Sequence, residues 1–540
     1  MNKKRLNLVG RSDLFALVGL CALILFVALA TRPLLPIQET RALAVAWEMW
    51  STKQFLVPHL NGVPYSDKPP LLFWLIHIGW FTFGVNEWWA RLVAPLFGLG
   101  TVVLTCQLSR ELWPSCKKTI SLAPWILVGS WLWMIMGTLT MYDVLVAFFS
   151  VVAITGLWRG THGSVFGWLW FGLGIGFGIL AKGPVILVFV LPTIVLAPIW
   201  LKANPSSGWV TWTINCIGGL AFAAAIALVW ALPAARIGGP VYESALLWNQ
   251  TSGRIIKSFA HGRPFWWYAM IAPILFAPWL IWPAFWGALR ANTALWHDSG
   301  FRLVVVWFVS SFIVLSVISG KQPHYLLPLV PAFALGSARL LASVKSLSRW
   351  SAAVPAGLIC FVGISILIVT LLSPTFIDSP IWLHKTPNYV PVVIVLAGLG
   401  ILISIKRMSM IVRLMTAQTW AMVVLAHVFV LSEAASFYDV RNVSQLLKGW
   451  ERTGYPLAYV NTYHGQFHFL GRLQNPIIEI DSDKIGIWAN ENPTGRIVSV
   501  HELNALDKSQ AKPIYMAPYR GKILTIWSAK RIAEVPKVFN

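Results

Sequence analysis

Charged residues are scarce in this chain. Only 11% of its 540 residues are Asp, Glu, Lys or Arg, whereas 57% are hydrophobic and the mean hydropathy is +0.67. A soluble globular protein carries about 25% charged residues, so the composition excludes an ordinary soluble domain and indicates a membrane protein with many spans. The formal net charge of +22 then fits basic cytoplasmic loops better than a nucleic-acid partner.

Cysteine is also rare, and its placement excludes two further classes. Four of the five cysteines lie in apolar runs and one in a short basic loop: Cys21, Cys106, Cys116, Cys216 and Cys360. A disulfide framework and a cysteine metal site are therefore not expected. The sequence also has no glycine-rich loop that would cradle a phosphate and no nucleotide-binding βαβ unit, which argues against a nucleotide cofactor.

Long apolar runs, by contrast, fill most of the first 435 residues. A membrane-spanning helix needs about 20 apolar residues. The first run is too long for a signal peptide and is followed by a poor cleavage site, so we interpret it as an uncleaved helix. About thirteen transmembrane helices are predicted, near residues 14–31, 88–108, 121–137, 140–158, 165–181, 183–201, 210–232, 266–288, 303–319, 324–342, 353–373, 388–405 and 412–432.

The distribution of Lys and Arg gives these helices an orientation. With the N-terminus in the cytoplasm, the inside loops are basic and contain very few acids, as the positive-inside bias requires. Two long loops then lie outside, at residues 32–87 and 233–265. The first contains a short apolar segment, 71–83, which favours an interfacial helix. After the transmembrane domain, 1–435, the segment 436–540 shows short β-like runs between turns, and it predicts a small soluble α/β domain outside the membrane.

Ionisable residues near the apolar runs gather at their outer ends. A charge at the centre of a spanning helix costs about 2.5–3.5 kcal/mol, so those that remain are candidates for function. Basic residues outnumber acids, which suits a phosphate carried on a lipid, since Lys, Arg and Tyr bind phosphate through charge-assisted hydrogen bonds. A carboxylate, Glu39 or Asp143, would accept a proton from the acceptor. The full set is Glu39, Arg41, Glu48, Asp67, Lys68, Arg91, Asp143, Lys182, Arg254, His261, Arg263, Lys321, His324 and Tyr325.

The first loop also carries an extended motif. It reads PIQETRALAVAWEMWSTKQFLVPHLNGVPYSDKPPLLFWL, and TMYDVLVAFF, LAKGPV, HGRPFWWY and GKQPHYLLPLVP follow it in order. Together these blocks resemble the aminoarabinose transferases that modify lipid A, which belong to the protein O-mannosyltransferase-like GT-C glycosyltransferases. The resemblance covers the membrane part, about residues 10–345.

This resemblance implies an activity and a set of site residues. It implies a polyprenyl-phosphate sugar donor, lipid A or another envelope glycan as acceptor, and an inverting transfer on the periplasmic side of the bacterial inner membrane. Asp143 and Lys68 match positions in the catalytic region. Asp67 and His261 match positions that would share a divalent metal ion. The matching positions that would bind the donor and its phosphate are Arg41, Tyr65, Lys68, Arg263, Lys321 and Tyr325.

One position departs from the family pattern. The family has an acidic pair after the first span, and here Gln38 replaces its first member while Glu39 keeps the second. Glutamine cannot accept a proton at neutral pH, so either Glu39 or Asp143 is the base, or an ionised phosphate acceptor needs none, or activity is lost. Three functions therefore stay open: a lipid-linked-sugar transferase acting on envelope glycans, a protein O-glycosyltransferase, and a non-catalytic lipid-binding relative.

Overall fold

The computed structural model describes residues 11–201, 203–247, 262–344, 349–376, 387, 389–403, 408–502 and 512–534. Helices dominate this part of the chain. In chain order they are α1 (Arg11–Thr31), α2 (Thr40–Thr52), α3 (Leu71–Phe83), α4 (Glu87–Leu112), α5 (Lys117–Val128), α6 (Trp131–Met136), α7 (Tyr142–Thr161), α8 (Val165–Lys182), α9 (Ile186–Val195), α10 (Ala197–Trp200), α11 (Gly208–Ser244), α12 (Trp267–Leu275), α13 (Pro283–Ala291), α14 (Ser299–Val317), α15 (Val330–Ala342), α16 (Arg349–Phe376), α17 (Tyr389–Ile403), α18 (Met408–Leu425), α19 (Ser432–Ala434), α20 (Arg441–Arg452), α21 (His468–Gly471), α22 (Ile485–Glu491) and α23 (Ala529–Glu534).

Shorter elements complete the description. Short 3-10 helices occur at Thr293–His297, Pro323–Leu329, Ala435–Phe437 and Ser482–Lys484, and a π-helical segment at Ala426–Leu431. The strands are β1 (His59–Leu60), β2 (Val63–Pro64), β3 (Leu457–Val460), β4 (Ile478–Ile480), β5 (Arg496–His501), β6 (Tyr515–Tyr519) and β7 (Lys522–Ser528).

The apolar helices confirm a membrane protein with many spans. In the described residues, seven helices are long and apolar enough to cross a membrane. Each of the thirteen predicted runs contains helix, but three are divided into shorter pieces: α5 and α6, α9 and α10, and α12 and α13. Proline, which lacks the N–H that a continuous helix needs, lies at the start of α10 (Pro198) and of α13 (Pro283). The break between α5 and α6 falls instead at Gly129 and Ser130, with Pro124 inside α5. The number of complete crossings therefore stays a prediction.

Helices α7 and α8 form a hairpin packed backbone against backbone. A Cβ atom added at Gly156 would lie 2.3 Å from the amide nitrogen of Phe171, and one at Gly167 would lie 2.3 Å from that of Gly160. Further along, a Cβ at Gly174 would lie 2.6 Å from the amide nitrogen of Ala153. Small residues allow helices in membranes to approach this closely. The same antiparallel register continues to the outer end of the hairpin and sets the first turn of α7 against the last turn of α8.

We expect Gly167→Ala to destabilise the protein by about 1–3 kcal/mol, because the added methyl meets backbone that cannot rotate away. The thermal unfolding midpoint of the purified protein in detergent measures this effect. Gly218→Ala on α11 is the matched control, since nothing lies within 4 Å of a Cβ at that position. Equal midpoints for the two variants would contradict the packing of α7 on α8.

Contacts divide the chain into two compact units. The first comprises Met1–Ala30, Asp67–Leu72 and Arg91–Val430; the second comprises Thr31–Ser66, Phe73–Ala90 and Leu431–Asn540. The second unit thus joins most of the first loop to the C-terminal segment. The sequence instead predicted a domain boundary at residue 436 and assigned the first loop to the transmembrane domain. That assignment of domains stays a prediction.

The second unit contains a mixed sheet of five strands in the order β4-β3-β5-β7-β6. Strands β4, β3 and β5 are parallel, and β5, β7 and β6 are antiparallel. Successive residues of β3 enter different cores: Tyr459 packs with Val498 and Phe467, and Ala458 packs with Ile497. Both faces of the sheet are therefore covered, as expected where strands are parallel. The predicted small α/β region is confirmed.

Within the second unit the first loop is fixed to the C-terminal segment by paired polar groups. The Asn61 side chain donates to the Ile477 carbonyl at 2.9 Å and accepts from the Ile477 N–H at 2.8 Å. Trp80 stacks on Phe469 with ring centroids 5.5 Å apart, and Arg441 donates to Glu87 at 2.9 Å. These loop residues, which the sequence analysis assigned to the transmembrane domain, thus belong to the same compact unit as the C-terminal segment.

Candidate active site

A buried ion pair joins the ends of α7 and α8. Nζ of Lys182 donates to Oδ1 of Asp143 at 2.6 Å, and the two side chains are 13% and 6% exposed. The close packing of α7 on α8 at their glycines allows this ion pair to form, because it places the last residue of α8 beside the first turn of α7. A low-dielectric environment strengthens such a pair and makes either charge alone costly.

The 3-10 turn Pro323–Leu329 packs against α7 and adds two rings to this pair. Nζ of Lys182 lies 4.5 Å from the centre of the Tyr325 ring, within the range of a cation–π contact. Nε2 of His324 lies 4.0 Å from Oδ2 of Asp143, and its ring meets the Tyr325 ring edge-on at 4.8 Å. Tyr325, which the sequence assigned to phosphate binding, is thus a neighbour of Lys182.

Lys68 lies in the part of the first loop that belongs to the first unit. Its Nζ donates to the carbonyl of Asp67 at 3.0 Å and lies 5.9 Å from the centre of the Tyr142 ring. Tyr142 directly precedes Asp143. The structure therefore brings Lys68, Asp143 and Tyr325, three of the predicted site residues, to the same end of α7.

Lys321 and Arg263 lie in two loop segments that run side by side. Gly262 and Gly320 form an antiparallel bridge, and the Arg263 N–H donates to the Ser319 carbonyl at 3.1 Å. Nζ of Lys321 donates to the carbonyls of Arg263 at 3.0 Å and Ile318 at 2.6 Å. Burial lowers the pKa of Lys321. The ammonium thus fixes the loop, while the exposed Arg263 side chain lies over the Trp267 ring at 5.7 Å.

Glu39 occupies a different environment, in the second unit. It is fully buried and forms a two-pronged ion pair with Arg32, in which Nη2 to Oε1 is 3.3 Å. Its Oε2 also accepts from the Leu35 N–H at 3.1 Å. Gln38 beside it is exposed. The carboxylate that the sequence proposed as a base is therefore engaged at the start of α2, and its catalytic role stays a prediction.

The remaining predicted residues of the first loop are partly exposed. Arg41 lies on α2, and Tyr65 follows β2, where its N–H donates to the Pro58 carbonyl at 2.7 Å. Ala44 is buried, and a Cβ atom added at Gly465 would lie 2.9 Å from the Cβ atom of Ala44 and 2.5 Å from a methyl of Leu60. Packing of α2 against the C-terminal segment therefore favours a small residue at position 44.

The predicted metal site rests on Asp67 and His261. Asp67 is half-buried, whereas His261 lies outside the described residues, as does Arg254. Over the part of the chain that the structure describes, no group of three or more His, Cys, Asp or Glu is placed to hold a metal ion. Two residues are too few to establish a metal site, and the pairing of Asp67 with His261 stays a prediction.

Two residues of this arrangement were noticed in the sequence but not assigned to the site, and one was not noticed. The sequence placed Lys182 and His324 among the ionisable residues at the outer ends and assigned them no role in the site. Arg32 was overlooked, although it directly ends the first apolar run. Its position could have drawn attention to it, because a charge beside hydrocarbon needs a counter-ion.

Long apolar helices with a cluster of cations at one end, together with a small mixed α/β sheet, define a polytopic membrane protein; likeness to solved structures gives it the GT-C fold. Solved structures support this class. The crystal structure of ArnT from Cupriavidus metallidurans bound to undecaprenyl phosphate is similar with a TM-score of 0.74, covering 98% of this chain and 99% of that one at 16% identity. At this identity the likeness establishes the fold.

Sequence comparison points to the same group of proteins. The model of the dolichyl-phosphate-mannose-protein mannosyltransferase family matches residues 46–238. The chain is 31% identical over 341 residues to undecaprenyl phosphate-alpha-4-amino-4-deoxy-L-arabinose arabinosyl transferase 1 of Pseudomonas fluorescens, covering 58% of this chain and 59% of that one. It is 30% identical over 327 residues to the transferase of the same name, without the number, from Edwardsiella ictaluri, covering 58% and 56%.

The chain thus covers less than two thirds of the length of these curated relatives. The resemblance to aminoarabinose transferases, predicted from the first loop, is confirmed by likeness in sequence and in fold.

Proposed function

We propose that this chain is a membrane glycosyltransferase that moves a sugar from undecaprenyl phosphate to lipid A, or to a related envelope glycan, with inversion at the sugar carbon. One observation carries the proposal: Lys68, Lys182 and Tyr325 surround the first turn of α7 in a chain similar to named undecaprenyl-phosphate aminoarabinose transferases. A cationic site at the end of apolar helices suits a phosphate whose lipid tail stays in the bilayer.

The proposed phosphate site consists of cations and a phenol. Lys68, Arg263 and Tyr325 would bind the phosphate oxygens, with Arg41, Tyr65 and Lys321 contributing to the donor site. The phosphate is the leaving group of the transfer, so negative charge grows on it as the sugar–oxygen bond breaks. Cations fixed before the reaction stabilise that charge without reorganisation.

The acceptor determines whether a base is needed. A lipid A phosphate is already ionised and attacks the sugar carbon directly, whereas a hydroxyl must give up its proton to a carboxylate. Glu39 and Asp143 are the proposed candidates, and each already holds a cation, Arg32 or Lys182. This favours an acceptor that brings its own negative charge.

The proposed location is the bacterial inner membrane, with the N-terminus in the cytoplasm and the C-terminal segment in the periplasm. The basic loops of the sequence support this orientation. The proposed site residues would then face the periplasm, where an envelope glycan is accessible.

Lys68→Ala is expected to weaken binding of undecaprenyl phosphate about 10- to 100-fold, because one charge-assisted hydrogen bond of about 1.5–3 kcal/mol is lost. In cells, lipid A isolated with the wild-type protein should carry an added sugar mass that disappears with this variant. Lys53→Ala, at an exposed lysine over the Trp50 ring, is the matched control. Lipid A of unchanged mass with the wild-type protein would remove lipid A as the acceptor.

A second candidate function is a protein O-glycosyltransferase. The family model that matches residues 46–238 is described as a protein mannosyltransferase, and this favours a protein acceptor. Sugar on periplasmic proteins, with lipid A unmodified, would support it. A third, a lipid-binding relative without activity, predicts carrier binding with neither product.

A further inference from the structure

The lysine at the end of α8 lies between two residues to which the proposed function gives other roles. Its ammonium bonds to Oδ1 of Asp143 at 2.6 Å and lies 4.5 Å from the centre of the Tyr325 ring. Tyr325 belongs to the proposed phosphate site, whereas Asp143 is a candidate base. These contacts suggest that Asp143 and Lys182 have roles in the site other than those the sequence analysis gave them.

We propose that Lys182 is a further ligand of the donor phosphate, and that Asp143 is a positioning residue that holds this lysine rather than the base. The inference rests on the proposed function and deepens it. An ammonium has three N–H donors, and the hydrogen bond to Asp143 uses one of them. The contact with the Tyr325 ring keeps the group beside a side chain assigned to the phosphate.

The surroundings of Asp143 oppose a role in proton transfer. The residue is 4% exposed, its Oδ1 holds the lysine, and its Oδ2 faces the His324 imidazole at 4.0 Å. Protonating this carboxylate would leave a buried ammonium without its counter-charge, which is costly in a low-dielectric site. The carboxylate instead acts as the counter-charge of Lys182 and holds its ammonium in one orientation.

Burial also makes Lys182 an effective phosphate ligand. Its side chain is 13% exposed, so water and salt screen its charge less than they screen an exposed lysine. A phosphate that enters beside Tyr325 would gain a cation already desolvated and oriented by the protein. The affinity for the phosphate headgroup, rather than for the lipid tail, should therefore depend on Lys182.

Binding of undecaprenyl phosphate and of undecaprenol to the full-length protein in nanodiscs tests the role of Lys182. Lys182→Met should weaken undecaprenyl phosphate binding about tenfold or more and leave undecaprenol binding unchanged. The double variant Asp143→Asn, Lys182→Met contains no lone buried charge and should show the same loss, which keeps the test valid if the single variant misfolds. Lys53→Met is the control for removing a lysine.

Kinetics test the role of Asp143. As a positioning residue, Asp143→Asn should raise KM for the donor about tenfold while kcat and the shape of its pH profile are retained, and Asp143→Glu should restore part of the affinity. If Asp143 were the base, Asp143→Asn would lower kcat about 100-fold or more and would remove one limb of the pH profile of kcat, while KM for the donor would stay unchanged.

The outcomes separate this inference from the proposed function. If the wild-type protein does not bind undecaprenyl phosphate, both fail. If the wild type binds it, Lys68→Ala loses it, and folded Lys182→Met binds it as tightly as the wild type, only the assignment of Lys182 is overturned.

Discussion

Exchanging Glu39 for glutamine should lower the free energy of unfolding of the second unit by about 3–5 kcal/mol. The exchange leaves the Arg32 guanidinium buried, 6% exposed, without its counter-charge. Thermal unfolding of the purified protein in detergent measures the loss. Gln38→Ala is the control, because the neighbouring side chain is exposed and should change the midpoint little. A midpoint of Glu39→Gln equal to that of the wild type would contradict the buried pair.

The double variant Arg32→Met, Glu39→Gln separates stability from catalysis. It removes both charges of this pair, and the introduced amide oxygen can still accept the Leu35 N–H that Glu39 accepts at 3.1 Å, so most of the stability should return. Recovery of sugar transfer together with stability would make Glu39 a structural residue. A stable double variant without transfer would instead support Glu39 as the base, which is the role that the family pattern implies.

Acidification should destabilise the second unit through two buried histidines. Burial lowers the pKa of His468 to about 4, and that of His77 also to about 4, from an ordinary value of 6.5. The Tyr463 hydroxyl accepts the Phe467 N–H at 3.1 Å and lies within hydrogen-bond distance of Nδ1 of His468, at 2.8 Å. His77 Nε2 lies 2.8 Å from the Ala46 carbonyl.

The sign follows from where the protons bind. Between pH 6.5 and 4 the unfolded chain protonates these histidines and the folded one does not, so stability falls as the pH is lowered through that window. The expected loss is about 2 kcal/mol per histidine at pH 5. Limited proteolysis of the second unit at rising temperature, at pH 7.5 and pH 5, measures it. His468→Gln should flatten the dependence, whereas exposed His162→Gln should not; equal stability at both pH values would refute it.

Periodicity and composition predicted much of the fold. The strands β3, β4, β5 and β7 coincide largely with the runs YPLAYV, NPIIEI, GRIVSV and GKILTIW, because short apolar runs bounded by turns suit strands covered on both faces. Helix α3 has the predicted limits of residues 71–83. The divided helices were harder to foresee, since hydropathy averaged over a span does not register a proline break.

Candidate site residues could be proposed from the sequence one at a time, but the side chains that they contact could not. Lys68, Asp143 and Tyr325 were identified from their charge or hydroxyl near hydrocarbon and from the family motif. Their neighbours Lys182 and Arg32 lie 39 and 7 residues from the carboxylates they meet. A separation along the chain does not give a distance in space.

The sequence alone determined that the protein is a polytopic membrane protein with a small α/β region, because burial of apolar surface and the bilayer's thickness depend on residue order and length. Only the tertiary structure decided which charges are paired. Asp143 meets Lys182 because glycines let α7 and α8 touch along their backbones. Glu39 meets Arg32 because the chain turns back on itself before α2. An ion pair depends on a few ångströms, and packing sets that distance.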